Sequence, residues 1–183
     1  MTIEQTPIKD LVIINPTVFQ DDRGYFFEAY NKAKFQENGI KYDFIQDNQS
    51  FSKRGVIRGL HLQINPFAQA KLVRVIEGEI LDVAIDLRKN SPTYGQHFSV
   101  VLSAENKKQL MVPHGFAHGF SVLRETASVM YKVDQLYNKE SERGIRYDDS
   151  VLNIDWHVNS NEIIVSEKDL ILSSFNEIDW SFE

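Results

Sequence analysis

Residues 72–87, LVRVIEGEILDVAIDL, carry the strongest secondary-structure signal in the chain. Two apolar, strand-forming runs, residues 72–76 and 79–87, stand on either side of Glu77 and Gly78. A short connection that ends in glycine between two such runs is typical of a β-hairpin turn. The stretch therefore predicts a hairpin.

The second run of this stretch alternates in polarity. Leucine, valine or isoleucine occupies positions 81, 83, 85 and 87, whereas Asp82, Ala84 and Asp86 stand between them. Because successive side chains of a strand point to opposite faces, we expect one buried face and one largely polar face.

Further short strands are predicted on both sides of the hairpin. They are an aromatic run at residues 25–30 and apolar or alternating runs at residues 98–102, 110–112 and 128–134. Many short strands with almost no helical periodicity predict an all-β sandwich or barrel. The only early helix candidate is residues 32–37, with Asn31 as its N-cap and Gly39 after its end. A short helix or extended arm is expected within residues 162–172.

Composition limits the function classes. With 183 residues, 42% of them apolar and 25% charged, we expect one globular domain, residues 1–183. A net charge of −6 argues against a nucleic-acid partner, and the absence of cysteine excludes disulfides and thiolate chemistry. No apolar run has the length of a membrane span, and the first residues lack a signal-peptide pattern, so we expect a cytoplasmic protein.

Three side chains that can carry charge, Arg58, His61 and Lys71, fall within fourteen residues of mostly apolar, strand-forming sequence. Together they offer an anion clamp, a base near neutral pH and an ammonium that can stabilise an oxyanion. The alternative is that all three are exposed side chains of half-exposed strands. Strict alternation would also place Arg58 and His61 on opposite faces, so a shared site requires a bulge or twist near Gly59.

The motifs leave proton transfer as the expected chemistry. The five histidines include no H-x-H with a following glutamate, and His114 and His118 lie in a Gly- and Pro-containing loop, so we expect no bound metal. Hydrolase and nucleotide-cofactor motifs are also missing. His61 can act as a base and Tyr131, which shares a strand face with Val129 and Val133, as an acid. The alternative for Tyr131 is a core tyrosine.

The chain resembles the dTDP-4-dehydrorhamnose 3,5-epimerase family. The matching stretches run in the family's order over nearly the full length: residues 22–28 (DRGYFFE), 46–48 (QDN), 58–61 (RGLH), 69–75 (QAKLVRV), 102–106 (LSAEN), 115–120 (GFAHGF), 131–132 (YK), 142–145 (ERGI) and 168–169 (KD). This resemblance implies a cupin-like jelly-roll β-sandwich or barrel with short peripheral helices. It also implies a homodimer that uses neither metal nor cofactor on a dTDP-sugar substrate.

Roles follow from the resemblance position by position. It implies that His61 is the base, oriented by Asp169, that Tyr131 is the acid on the opposite face of the sugar, and that Lys71 steadies the enolate oxygen. The implied substrate contacts are Arg23, Glu28, Gln46, Asp47, Asn48, Arg58, Lys71, His118, Glu142 and Lys168, with the aromatics Phe26 and Tyr137 around the thymine.

Leu62, Leu136 and His114 depart from the residues common in the family and leave the fine substrate preference open. Three alternatives also stay open at this point. They are a single-site epimerase of a related dTDP-4-keto sugar, a non-catalytic sugar-nucleotide-binding jelly roll, and a metal-dependent cupin enzyme.

Overall fold

The structure, a computed structural model, describes residues 1–182. Its eleven strands in this range are β1 (Thr2–Gln5), β2 (Val12–Asn15), β3 (Phe19–Asp21), β4 (Gly24–Phe26), β5 (Gln46–Lys53), β6 (Ile57–Gln63), β7 (Lys71–Asp86), β8 (His97–Ser103), β9 (Gln109–Val112), β10 (Phe116–Val133) and β11 (Glu142–Gly144). The helices are α1 (Lys32–Glu37), α2 (Glu167–Leu170) and one 3-10 turn, Phe175–Glu177. The predicted all-β class is therefore confirmed.

Two long strands organise the sheet. β7 has 16 residues and β10 has 18, and the two pair antiparallel from Lys71 opposite Val133 to Asp86 opposite Phe116. The register shifts between Val122 and Ala127 on β10, opposite Gly78 on β7. Both strands cross from one layer of the structure to the other at this irregularity.

The hairpin predicted at residues 77–78 is wrong. The first half of β7 pairs with β9 and the second half with β8, while β10 pairs with both halves. Gly78 has a φ of 78°, and a Cβ built on it would lie 2.0 Å from the backbone oxygen of Thr126. Glycine here allows a bulge against β10 instead of a turn, because the same positive φ serves either feature.

The two layers follow from the pairing. The first layer has the order β1-β2-β9-β7-β10-β5 and uses the first half of β7 and the second half of β10. The second layer has the order β8-β7-β10-β6-β11 and uses the other halves. A core that includes Val73, Ala84, Phe120 and Val129 fills the space between them. This is the cupin-like jelly roll that the resemblance implies.

The prediction that one face of β7 is exposed and polar is also wrong, because both faces of the second half of this strand are buried. Leu81, Val83 and Ile85 pack beneath the C-terminal part of the chain, including Trp156, in a second hydrophobic cluster. Asp82, Ala84 and Asp86 are 0% exposed. The sequence pattern could not reveal the C-terminal cover, which brings both faces of the strand out of solvent.

Asp86 shows what a buried carboxylate needs on this strand. It accepts hydrogen bonds from Arg88 Nε at 2.8 Å, Ser91 Oγ at 2.5 Å and Thr93 Oγ1 at 2.6 Å. Burial acts to raise its pKa, but these donors outweigh burial and leave the pKa at about 2. Asp86 therefore stays ionised in a structural network.

The helical predictions hold with small corrections. α1 has the predicted bounds, the Asn31 side chain accepts from the Lys34 backbone N–H, and Gly39 follows the helix with a φ of 86°. α2 lies inside the predicted C-terminal region. The aromatic strand predicted at residues 25–30 is wrong beyond Phe26, where β4 ends. Within residues 1–182, none of the helices has the length and apolarity that a membrane crossing needs.

We expect Gly78→Ala to lower the free energy of unfolding by about 2–3 kcal/mol, because it combines positive φ with a backbone clash. Gly39→Ala is the matched control, since Gly39 has a similar φ but open space around its Cβ position. That control should lose only about 1 kcal/mol. Urea unfolding measures both, and equal losses would contradict the bulge at Gly78.

Candidate active site

A cavity of about 510 Å³ opens between the two layers, and we call it the interlayer cavity. Its walls come from β5, β6, β7 and β10 and from residues 164–169 of the C-terminal segment. Seven of the predicted site residues line it: Arg58, His61, Lys71, His118, Tyr131, Lys168 and Asp169. Elements far apart in sequence therefore bring all four predicted catalytic residues together.

A bulge in β6 lets Arg58 and His61 meet the same cavity. His61 lies opposite His118 and Arg58 opposite Phe120, so three steps on β6 match two on β10. Gly59 between them has a φ of 115°, and a Cβ there would lie 2.6 Å from the His118 carbonyl oxygen. The predicted break in alternation at Gly59 is confirmed, and glycine is required because β10 approaches so closely.

His61 is paired with a buried carboxylate. Its Nε2 lies 2.7 Å from Asp169 Oδ1, and Asp169 sits in α2, where the Ser166 side chain caps the helix. Burial acts to raise the pKa of Asp169, but hydrogen bonds from His61, Gly59 and Ser166 outweigh it, and the pKa is lowered. An ionised carboxylate only accepts hydrogen bonds, so Nε2 carries the proton and Nδ1 is free to act as a base.

Lys71 brings a nearly buried amine to the cavity at 9% exposure. Its Nζ donates to the His61 carbonyl oxygen at 3.2 Å. Burial lowers the pKa of Lys71 to about 8, with Asp82 and then Glu142 acting in the opposite direction. Most of the amine is therefore charged at neutral pH, although part of it loses its proton in mildly basic solution.

Tyr131 and His61 lie on opposite walls. Tyr131 belongs to the second half of β10 in the first layer, and His61 to β6 in the second layer. As the alternation predicts, Tyr131 points inward and lines the cavity. Burial is the largest cause that raises its pKa, and Arg58 opposes the rise. The phenol therefore holds its proton at neutral pH and can donate it.

Glu142 connects two other predicted residues at one edge of the site. Its Oε2 accepts from Tyr137 Oη at 2.9 Å and from Lys168 Nζ at 2.6 Å. Burial acts against ionisation, but these two donors outweigh it and lower the pKa of Glu142. Tyr137 is 56% exposed, so its ring remains accessible to a ligand.

The predicted residues of β5 divide between its faces. Gln46 and Asn48 share the face of Ser50, which lines the cavity, and Gln46 Nε2 donates to Asn48 Oδ1 at 2.7 Å. Asn48 is also opposite Tyr131 in register. Asp47 points the other way and pairs with Lys132 at 2.8 Å.

Arg23, Phe26 and Glu28 are not brought to the cavity by the described part of this chain. Arg23 pairs with Asp21 at 2.6 Å at the β3–β4 turn, and Phe26 is 66% exposed on β4. Glu28 forms an ion pair with Lys34 of α1. These three predicted contacts form a separate, outlying group.

Two groups were missed from the sequence, namely Asp82, which contacts the cavity residue His118, and Ser50, which lines the cavity. Asp82 is 0% exposed and its Oδ1 lies 2.7 Å from His118 Nε2. Ser50 Oγ is buried and has no hydrogen-bond partner within residues 1–182. The available signal for Asp82 was a carboxylate within an apolar strand, but its alternation pointed instead to a solvated face. Among the same residues, no group of three or more His, Asp or Glu side chains is arranged to hold a metal ion.

Fold and site together define a jelly-roll protein whose interlayer cavity is lined by an Asp-paired histidine and a protonated tyrosine, two side chains suited to acid–base chemistry. A family model described as dTDP-4-dehydrorhamnose 3,5-epimerase matches residues 5–177. The chain belongs to this family.

Individual relatives support the same family assignment. A dTDP-4-dehydrorhamnose 3,5-epimerase of Shigella flexneri is 48% identical, covering 98% of this chain and 99% of its own. A crystal structure of the enzyme from Elizabethkingia anophelis is 53% identical with a TM-score of 0.94, covering 98% and 99%. A dTDP-6-deoxy-D-glucose-3,5-epimerase from Legionella pneumophila, solved with dTDP-4-keto-L-rhamnose, is 45% identical with a TM-score of 0.93, covering 97% and 94%.

Proposed function

We propose that the protein inverts carbons 3 and 5 of dTDP-4-dehydro-6-deoxy-D-glucose and so produces dTDP-4-dehydro-L-rhamnose. The observation that carries the proposal is the placement of His61 and Tyr131 on opposite walls of one cavity. Inversion at carbon requires that a proton leave one face of the ring and another arrive at the opposite face. Membership in the epimerase family supports the same conclusion.

The chemistry needs only proton transfers. The 4-keto group makes the protons on carbons 3 and 5 acidic, and His61 Nδ1 removes one of them to leave an enolate. Lys71 stabilises the negative oxygen, and Tyr131 returns a proton from the other side. The imidazolium and the phenolate then exchange protons with solvent, and the cycle repeats at the second carbon. No metal and no cofactor is part of this mechanism.

Substrate binding uses charges and rings at the edge of the cavity. Arg58 and Lys168 are cations suited to the diphosphate, and the exposed ring of Tyr137 is suited to the thymine. The remaining contacts proposed for the sugar nucleotide are Gln46, Asn48, His118 and Glu142, whereas Asp47 points away from the cavity and pairs with Lys132.

We also propose that the enzyme works as a homodimer. In that assembly, the β3–β4 hairpin of one copy would bring Arg23, Phe26 and the nearby Glu28 to the cavity of the other. The support is an exposed aromatic cluster on this hairpin, where Phe19, Tyr25 and Phe26 are 63%, 58% and 66% exposed. Such a cluster is typical of a contact surface. Sedimentation at the 21.2 kDa of one chain under assay conditions would contradict the dimer.

The proposal describes a single epimerase domain, residues 1–183, that acts in the cytoplasm. Its proposed partners are the sugar nucleotide and a second copy of the chain. The net charge of −6 gives no reason to add a nucleic acid.

In heavy water, the wild-type protein should place deuterium at both carbon 3 and carbon 5 of the product. The reason is that each new hydrogen comes from a group in exchange with solvent. Proton NMR of the reaction measures both positions. Deuterium at one carbon alone would identify a single-site epimerase, and tight substrate binding without any exchange would identify a binding protein. Either result contradicts the double epimerisation.

His61→Ala should reduce deuterium exchange and inversion together, by roughly a hundredfold or more, because the base is gone. Tyr131→Phe should retain more exchange than inversion, since His61 can still remove a proton and return deuterium to the same face. NMR and product analysis separate the two rates.

The matched controls are His114→Ala and Tyr94→Phe. His114 is also paired with a carboxylate, Asp134 at 2.8 Å, but neither His114 nor Tyr94 lines the interlayer cavity as the described residues form it. Both variants should keep wild-type rates. Equal losses of exchange and inversion in Tyr131→Phe would show that the tyrosine helps to form the enolate, which contradicts its role as the acid alone.

A further inference from the structure

Arg58 lines the interlayer cavity and is held there by neutral groups. Its Nε donates to the Ser52 side-chain oxygen at 2.9 Å, and its Nη2 donates to the Phe51 backbone oxygen at 3.4 Å. Within residues 1–182, Arg58 forms no ion pair with a carboxylate. By contrast, Arg54, four residues earlier, pairs with Glu162 at 3.3 Å. The charge of Arg58 is therefore left for a ligand.

The two hydrogen bonds occupy one edge of the guanidinium of Arg58. A guanidinium carries five N–H donors in a planar fork, and Nε–H and one Nη2–H point along the same edge. Ser52 and Phe51 fill this edge. The other edge, formed by Nη1 and the second Nη2–H, is a pair of parallel donors that can bind a phosphate through two hydrogen bonds. The protein therefore holds one edge and leaves the phosphate-binding edge open.

Strand pairing puts Ser52 in place for this contact. Ser52 lies on β5 opposite Ala127, in the first layer, whereas Arg58 lies on β6 opposite Phe120, in the second layer. Their hydrogen bond therefore joins the two layers where the chain passes from β5 to β6. Ser52 is only 4% exposed, so water competes little for its hydroxyl, while Arg58 itself is exposed. A buried anchor thus holds an exposed cation.

We propose that Ser52 is a positioning residue for Arg58, which fixes the Nε edge of the guanidinium so that the opposite edge meets the diphosphate of the sugar nucleotide. This inference rests on the proposed function, which assigns the diphosphate to Arg58. Ordering a long side chain costs free energy on binding, and a side chain that is already ordered avoids that cost. A neutral hydroxyl suits the task, because a carboxylate in its place would compete with the phosphate for the guanidinium.

Ser52→Ala leaves the charge of Arg58 in place and removes its anchor. The Kd for dTDP, measured by calorimetry, should rise about tenfold, the order expected when a hydrogen bond to a charged group is lost. KM for the dTDP-sugar should rise by a similar factor while kcat changes less than about twofold, since the diphosphate is held equally in the ground state and the transition state. An unchanged Kd, or a fall in kcat at unchanged KM, would overturn the proposal.

A second pair of variants shows whether Ser52 acts through Arg58. In an Arg58→Ala background, Ser52→Ala should change the Kd for dTDP by less than about twofold, because the side chain that Ser52 holds is gone. NMR titration reaches the weaker affinities of these variants. A further loss of about tenfold would mean that Ser52 contacts the ligand directly or supports the site by packing alone, and either result overturns its role as a positioning residue.

Ser128→Ala is the matched control on the neighbouring strand. Ser128 is also buried, at 8% exposure, but it lies opposite Phe51 on the face of β10 that points away from the cavity. It is not part of the cavity lining that residues 1–182 form. This variant should bind dTDP with the wild-type Kd. A loss similar to that of Ser52→Ala would show a general effect of removing a buried serine hydroxyl, which also overturns the proposal.

The unaltered protein provides a readout that needs no variant to fold. When dTDP is added, the 15Nη resonances of Arg58 should shift more than its 15Nε resonance, because Ser52 keeps the Nε edge and the ligand takes the other. A larger shift at Nε would show that the ligand displaces Ser52, which overturns the proposal. If dTDP binds in the expected way but the dTDP-sugar is not epimerised, the proposed function fails while the role of Ser52 stands.

Discussion

β7 and β10 pair with each other through both layers, from Lys71 opposite Val133 to Asp86 opposite Phe116. Because each strand carries one end into each layer, residues from the two ends of one strand reach the cavity from different layers. Lys71 comes from the first half of β7, while His118 and Tyr131 come from different halves of β10. The relative position of Lys71 and Tyr131 is therefore fixed by the backbone hydrogen bonds of these two strands, and β6, which pairs with β10, adds His61 to the same framework without a flexible loop.

Burial gives these groups their chemistry. Asp169 is ionised because its hydrogen bonds outweigh the cost of burial. Burial also lowers the pKa of Lys71 to about 8, and it raises the pKa of Tyr131, which therefore keeps its proton. One cavity thus holds a histidine paired with an ionised carboxylate and a tyrosine that keeps its proton, the kinds of group that proton transfer in both directions requires. The C-terminal segment completes this space, because α2 supplies Asp169 and residues 164–168 form one wall.

Much of this was predictable from residue patterns. Apolar alternation identified β8, β9 and the second half of β10, Asn31 and Gly39 bounded α1, and the conflict between Arg58 and His61 located the bulge at Gly59. What failed depended on distant partners. Gly78 fits a turn or a bulge equally well, and only the approach of Thr126 from β10 selects the bulge.

The alternation of polar and apolar residues also could not reveal burial beneath a later part of the chain, so it predicted a solvated face for Asp82. In the proposed dimer, the place where Arg23 and Phe26 act depends on a second copy of the chain, which no pattern within one sequence locates. The most direct test of the whole account is a crystal structure of the protein with a dTDP-sugar that lacks the 4-keto group and cannot react. We expect the sugar ring between His61 Nδ1 and the Tyr131 hydroxyl, with these groups on opposite faces of the ring and each within about 3.5 Å of it. A ring bound outside the interlayer cavity, or one with both groups on the same face, would contradict the account.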